Sequence, residues 1–268
     1  MATLTGSQAP PRPAAIALRG VSKTFTRRST AVRALEPSDL DIEPGEFVSL
    51  IGPSGCGKST LLKLMAGLLE PTEGSVSVDG VLVTEPLPQV GVAFQKPTLL
   101  RWRTVLDNVC LPLDIAGDGG PDGRCRARGL LEMIGLAGFE KHYPRELSGG
   151  MEQRVAIARS LVGRPSLLLM DEPFGALDEF TREDLNDELL GVWQSEPKTV
   201  VFVTHSISEA VFLSDRIVVM SVRPGRVHAD IPVRLSRPRD RGLRDKPEFY
   251  EAIRHVRAAL DEAKGGGR

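Results

Sequence analysis

Ile51 to Thr60 read I-G-P-S-G-C-G-K-S-T, and this stretch constrains the chain more than any other. Gly52, Gly57, Lys58 and Ser59 fall at the spacing G-x-x-x-x-G-K-[ST], the pattern of a loop that wraps a polyphosphate. Wrapping an anion with backbone N–H groups demands residues without bulky side chains at the bends, and Gly52, Gly55 and Gly57 are expected to supply that freedom. Lys58 then brings a positive charge to the terminal phosphates and Ser59 offers a hydroxyl to Mg²⁺. The following helix aims its N-terminal N–H groups at the anion. Pro53, Ser54, Cys56 and Thr60 complete the candidate loop.

The flanks agree with this reading. Phe47 to Ile51 is a short, mostly apolar run of strand type, and Glu43-Pro44-Gly45-Glu46 before it carries a Pro-Gly pair suited to a type II turn. Leu61, Leu64, Met65 and Leu68 then recur at helical spacing, which predicts a helix ended by Pro71. Strand, loop and helix follow in the order the motif requires.

Composition narrows the partners. With 34 basic and 35 acidic residues in 268, the net charge is −1, so no broad basic field argues for nucleic acid as the main partner. The start, M-A-T-L-T-G-S-Q-A-P-P-R-P-A-A, lacks the blocks of a signal peptide, and no uncharged apolar run reaches membrane-spanning length. A cytosolic protein is expected. Cys56, Cys110 and Cys125 are odd in number and scattered, against a disulfide framework or a cysteine zinc site. Cys56 lies inside the phosphate loop, where a structural role is expected, and a thiol reagent acting there is expected to block nucleotide.

Residues 1–13 are rich in Pro and Ala and are expected to be disordered. Ile16 to Leu40 alternates as hairpins do at a sheet edge; Phe25 within it could stack on a base or pack under a hairpin. Gly74 to Val83 alternates around Asp79-Gly80, a hairpin turn signal, and Val90 to Phe94 predicts a strand closed by Gln95-Lys96-Pro97. From Thr98 to about Ser148 the text turns helical: Ala127, Leu130, Leu131 and Ile134 share a helix face, with a flexible loop expected over Gly117 to Gly123. Ser148 is a natural N-cap, and Gly149 and Gly150 behind it bare the N–H groups of a positive helix end, a second anion site. The helix continues through Val155, Ile157, Ala158 and Leu161.

Leu167 to Met170 reads as a fully buried parallel strand, with Asp171 and Glu172 at its carboxyl end, where a doubly wound sheet binds ligands. Asp171 can hold Mg²⁺ through water, and Glu172 can act as base on, or orient, an attacking water. Thr199 to Thr204 is a second buried strand with His205 at its end, and Arg216 to Met220 a third. Beyond about Ser221 the chain is Pro-rich and basic, through Arg223, Arg226, Arg234, Arg237, Arg239, Arg241 and Arg244, which reads as a solvated surface, with a membrane-facing role as the alternative. Phe249, Ile253, Val256 and Leu260 predict a last amphipathic helix docked on the body.

Taken together, G-P-S-G-C-G-K-S-T, F-Q-K-P at Phe94 to Pro97, L-S-G-G-M at Leu147 to Met151, L-L-L-M-D-E-P-F-G-A-L-D at Leu167 to Asp178 and T-H at Thr204 and His205 resemble an ABC transporter ATP-binding subunit. The likeness covers roughly Ile16 to Leu260. R-W-R-T-V-L-D-N-V at Arg101 to Val109 and T-H-S-I-S-E-A-V-F-L-S-D at Thr204 to Asp215 resemble the nitrate, sulfonate and taurine importers within that superfamily.

The resemblance implies an α/β P-loop NTPase fold with a mainly parallel core sheet, an antiparallel β edge subdomain and a helical subdomain at about 98–160. The ATPase domain would span 14–222 and a basic C-terminal extension 223–268. It implies ATP and Mg²⁺ as ligands, with Phe25 on adenine, Lys58 on phosphate, and Ser59, Gln95 and Asp171 serving the metal. Glu172 would be the catalytic base and His205 would touch the γ-phosphate. Ser148, Gly149 and Gly150 would close on the ATP of a second subunit in a homodimer, with Asp178 near the same seam.

The same resemblance implies a separate membrane permease, contacted through Gln95 and Leu99 to Val105, an extracytoplasmic solute-binding protein, and a place at the cytoplasmic face of the cell membrane. Met151 stands where Gln is common, with Gln153 as the candidate substitute for a polar contact across the dimer. An exporter ATPase shares the catalytic motifs. A soluble ABC ATPase of repair or translation would need a long coiled coil or a second such domain, and a P-loop kinase would lack L-S-G-G.

Overall fold

The computed structural model describes residues 12–27, 30–175, 177–222 and 224–265. All but Arg12 and Pro13 of the tail expected over residues 1–13 lies outside these, as does Arg223. Two sheets carry the architecture. The edge sheet is antiparallel, built from β1 (Ile16–Arg27), β2 (Thr30–Ile42), β4 (Glu73–Val78) and β5 (Val81–Leu82), in the order β2-β1-β4-β5. The core sheet joins β3 (Phe47–Ile51), β6 (Val90–Ala93), β7 (Leu167–Asp171), β8 (Thr199–Val203), β9 (Arg216–Met220) and β10 (Val227–Pro232), in the order β10-β9-β3-β8-β7-β6. Its first five strands in chain order are mutually parallel and β10 is antiparallel to β9.

The parallel strands read as unbroken apolar text because both faces are covered. Every residue of β3, β7 and β8 is buried. One face packs on the edge sheet and α1 (Lys58–Met65), where Leu50, Leu61, Leu62 and Val203 share a core. The other face holds Phe47, Phe174 and Phe202, with ring centroids 5.7 and 6.0 Å apart around Phe202. The order β3-β8-β7 sets the phosphate loop after β3, His205 after β8 and Asp171-Glu172 at the end of β7 on one sheet edge.

Several elements differ in detail from expectation. α1 ends at Met65, short of Pro71, because Gly67 adopts φ +69°: Leu68 N–H donates to Lys63 O at 2.9 Å and Gly67 N–H to Leu64 O at 3.2 Å, a Schellman ending. Leu68 is consequently 44 % exposed and leaves the apolar face. The hairpin turn is left-handed at both Asp79 (φ 51°) and Gly80 (φ 77°), as its two-residue length requires.

In the helical region α2 (Val105–Ala116) carries Pro112 inside it, a residue that reads as a helix breaker although Val105, Leu106, Val109, Cys110 and Leu113 keep helical spacing. The loop expected over Gly117 to Gly123 is cut short by α3 (Pro121–Met133), since Pro121 stands in the first turn, where its fixed φ suits a helix. Both pack on α4 (Gly149–Val162).

After α5 (Glu179–Ser195) and α6 (Ile207–Leu213), the basic segment is largely consumed by the fold. Arg239, 6 % exposed, donates to the carbonyls of Val211, Phe212 and Ser214 at the C-terminal end of α6, and burial pushes its guanidinium down to about 10, still charged at neutral pH. Arg237 pairs with Asp215 at 2.8 Å and lies over Trp193, and Arg244 lies 3.7 Å over the Phe212 ring. The solvated surface expected here is therefore corrected for these residues: they satisfy a helix end and cover aromatics. The extension also supplies β10 to the core sheet before α7 (Pro247–Gly265) docks through Phe249, Val256 and Ala263.

Candidate active site

A cleft of about 340 Å³ opens at the carboxyl edge of the core sheet, lined by Ser54, Gly55, Gly57, Lys58, Ser59, Thr60, Gln95, Glu172, His205 and Ala34. The loop under it bends at Gly55 (φ 75°) and Gly57 (φ 96°), angles that a side chain resists. Gly52 needs no such angle. It is small because a Cβ there would meet Met220 O at 2.7 Å and Cys56 Sγ at 2.8 Å, which corrects the reason expected for it. Behind the loop, Gly225 packs so closely that a Cβ would stand 1.8 Å from Cys56 O, and its N–H donates to Ala34 O. The C-terminal segment thus backs the phosphate loop.

Lys58 is 4 % exposed, and its ammonium donates to Gly52 O at 2.9 Å and Pro53 O at 3.2 Å, curled over the loop where an anion would sit. Ser59 donates to Asp171 Oδ1 at 2.8 Å. Burial pushes the Asp171 carboxyl up, and the Ser59 hydrogen bond works against that shift. The backbone of Glu172 has φ 48°, a left-handed angle costing on the order of 1 kcal/mol for a non-glycine residue. Its N–H stays bonded to Val203 O at 2.9 Å, so the twist re-aims the side chain without orphaning the backbone. Both carboxylate oxygens are engaged: His205 Nε2 is 2.6 Å from Oε1, and Gln95 Nε2 donates to Oε2 at 3.0 Å. The carboxylate, imidazole and amide therefore meet over the phosphate loop.

Gln95 is held by α4. Gln153, 2 % exposed, donates to Phe94 O at 3.0 Å, and Arg159 donates to Pro97 O at 2.7 Å and Thr98 O at 3.0 Å. This corrects the expectation that Gln153 stands in for Met151, since its amide is spent inside the chain. Asn108, fully buried, donates to Leu100, Arg103 and Thr104 carbonyls and ties down the Leu99–Arg103 turn, from which Trp102 projects at 74 % exposure.

Ser148, Gly150 and Asp178 line a different cleft of about 470 Å³, together with Met151, Leu177 and Thr181. Ser148 Oγ accepts from Met151 N–H at 3.3 Å as the N-cap of α4, and Asp178 Oδ1 accepts from Thr181 N–H at 3.0 Å as the N-cap of α5. That bond holds the Asp178 carboxyl below its usual range. Gly149, at the first position of α4, is followed by Gly150, where a Cβ would come within 2.9 Å of Leu177. The candidate residues that line a cleft thus fall into two groups on one chain, and none is shared between the two clefts.

Phe25 belongs to neither lining. It pairs with Val32 across the β1–β2 hairpin, is 41 % exposed, and carries the Lys23 ammonium 5.5 Å from its ring centroid, so it is not packed beneath the hairpin. Cys56 turns its side chain inward, 1 % exposed, and burial pushes its thiol up. This burial agrees with the structural role expected for Cys56 and limits a thiol reagent's access to it, whereas Cys125 is exposed. Native alkylation followed by peptide mass spectrometry should modify Cys125 and spare Cys56 until the chain is unfolded; early labelling of Cys56 would contradict its burial. Ala34 was not foreseen in the lining. It carries no chemistry of its own, and only the packing of β2 on Gly57 brings it there.

The sequence of the chain matches the ABC transporter family profile over residues 35–175. It is 48 % identical over 239 residues to an uncharacterized ABC transporter ATP-binding protein of Methanocaldococcus jannaschii, covering 89 % of this chain and 90 % of that one. The chain belongs to the ABC transporter ATP-binding family. As a member it is an ATP-binding and ATP-hydrolysing subunit, and its α/β fold is that of the ABC ATPases. It is 46 % identical over 232 residues to the aliphatic sulfonates import ATP-binding protein of Bacillus subtilis, with 87 % and 88 % covered. Among solved structures it is similar to an ATP-binding cassette in a dimeric post-hydrolysis state bound to ADP and Pi, with TM-score 0.75, 37 % identity, and 82 % and 100 % covered. No helix among the described residues of this ABC ATPase is long and apolar enough to cross a membrane.

Proposed function

We propose that two copies of this chain sandwich two ATP molecules head to tail and use their hydrolysis to drive import of a small organic anion, of the aliphatic sulfonate kind, through a separate membrane permease. The observation that carries it is the separation of the two clefts: Lys58, Ser59, Glu172 and His205 line one, Ser148, Gly150 and Asp178 the other. A phosphate loop alone leaves the γ-phosphate open to water. The N-terminus of α4 from a second copy supplies both positive potential and water exclusion. The relatives named for sulfonate import support the cargo class.

Within one half-site, Lys58 leaves the carbonyls of Gly52 and Pro53 for the β- and γ-phosphates, and Phe25 stacks on the adenine. Glu172 accepts the proton of the attacking water, and His205 turns from Glu172 to the γ-phosphate. Ser59, Asp171 and Gln95 would hold Mg²⁺. The fit is chemical: hydroxyl, carboxylate and amide oxygens suit a hard cation that takes its other ligands from phosphate and water, and no cluster of three or more His, Cys, Asp or Glu among the described residues competes as an all-protein metal site. Bound there, the ion would supply charge neutralisation to the phosphates.

The exposed Trp102 and the Gln95 loop, both braced on the helical subdomain, are the surface offered to the permease at the cytoplasmic face of the membrane. Gentle isolation of the tagged chain from membranes, followed by mass spectrometry, is expected to recover a multi-span permease with a solute-binding protein. Recovery only in the soluble fraction with nucleic acid or ribosomes would overturn the transport reading.

A further inference from the structure

Arg182 and Glu209 line neither the nucleotide cleft nor the Ser148 cleft, yet they join the two. Arg182, on the first turn of α5, donates through Nη2 to Leu177 O at 2.9 Å, and its Nε lies 3.8 Å from Glu209 Oε1. Leu177 is the residue against which Gly150 packs, and it precedes Asp178 in the Ser148 cleft. Glu209, 7 % exposed on α6, accepts from the Thr204 hydroxyl; Thr204 Oγ1 accepts from Ser206 N–H at 3.0 Å, and Ser206 Oγ from Glu209 N–H at 3.3 Å. These bonds fix the chain on both sides of His205, whose Nε2 rests 2.6 Å from Glu172.

We propose that Arg182 and Glu209 form a positioning strut that ties the Leu177–Asp178 segment in one cleft to the His205 turn in the other. Closure of a second copy on the Ser148 cleft thereby sets the imidazole in the hydrolytic cleft of the same chain. The inference rests on the two-copy site proposed above. Two features favour a strut over simple packing. A buried carboxylate facing an arginine is a costly way to fill space, which an apolar pair does more cheaply. A cavity of about 190 Å³ lined by Glu172, Arg182, His205 and Glu209 leaves the turn room to shift. Both partners act through other residues, so neither is catalytic.

The test is steady-state ATP hydrolysis by the purified full chain over a range of ATP concentrations. The wild type is expected to show a Hill coefficient above one, bounded by two sites. Glu209→Gln, isosteric, is expected to keep KM within about twofold, lower kcat roughly tenfold and bring the Hill coefficient toward one. Arg182→Leu should do the same, and the double variant should be no worse than either single, as two ends of one connection require. Unchanged kcat and cooperativity, or losses that multiply in the double variant, overturn the strut. Were Glu209→Gln to lose its fold, Arg182→Leu, at a part-exposed side chain, decides. Ser148→Arg in the same assay keeps the two readings apart: if it abolishes hydrolysis while the strut variants are normal, only the strut is wrong; if it hydrolyses like wild type, the two-copy site fails and the strut with it.

Discussion

Glu172→Gln is expected to bind ATP, to lose hydrolysis by a factor of about 10² to 10⁴, and to accumulate as a dimer in Mg-ATP. The size follows from the role: the amide keeps the volume and one hydrogen-bond acceptor but cannot take a proton from water. Dimer accumulation follows because ATP bridges the copies and its cleavage no longer releases them. Phosphate release, equilibrium dialysis with ATP and size-exclusion chromatography read the three effects separately. Wild-type hydrolysis in the variant would remove Glu172 from the base role, and loss of ATP binding would make it a structural residue. The left-handed backbone at this position bears on the choice of variant, since glutamine retains it where a β-branched residue would add strain.

The second large effect concerns stability. Arg239→Met is expected to cost about 3 kcal/mol, because the carbonyls of Val211, Phe212 and Ser214 at the end of α6 lose a donor that water cannot replace. For a chain of this size that is a fall in Tm of roughly 6–12 °C. Arg234, exposed in the same basic run, is the control: Arg234→Met should change stability by no more than about 0.5 kcal/mol. Equal melting shifts in the two variants would show that Arg239 is not the buried cap of α6. Methionine conserves much of the stem's packing, so the difference reports the lost donors and charge rather than a cavity.

Strands and loops whose role is written in local chemistry were legible without coordinates. β3, β7 and β8 are apolar over their whole length because they are buried on both faces, and the phosphate loop and the Ser148 cap declare themselves by residue type at fixed spacing. The end of α1 was misplaced because both Gly67 and Pro71 are breakers, and only the backbone bonds to Lys63 and Leu64 show which one acts. α2 was obscured by Pro112, and β10 by a run of arginines and prolines that resembles solvent-facing text. The same run hid Arg239, since a lone arginine carries no sign that a helix end waits for it 25 residues upstream at Ser214.

The sequence by itself determined the phosphate-loop turn and the Ser148 and Asp178 caps, because spacing along the chain governs contacts within a turn or a cap. The tertiary structure alone decided how the candidate residues are grouped. Parallel pairing of β3, β8 and β7 gathers Lys58, His205 and Glu172 from distant segments, while the packing of Gly150 in the first turn of α4 against Leu177, just ahead of α5, gathers Ser148 and Asp178 elsewhere. It also decided that Cys56 and Gln153, polar and available in the text, are buried and spoken for. Burial and partnership depend on contacts between residues far apart in the chain, and no local pattern encodes them.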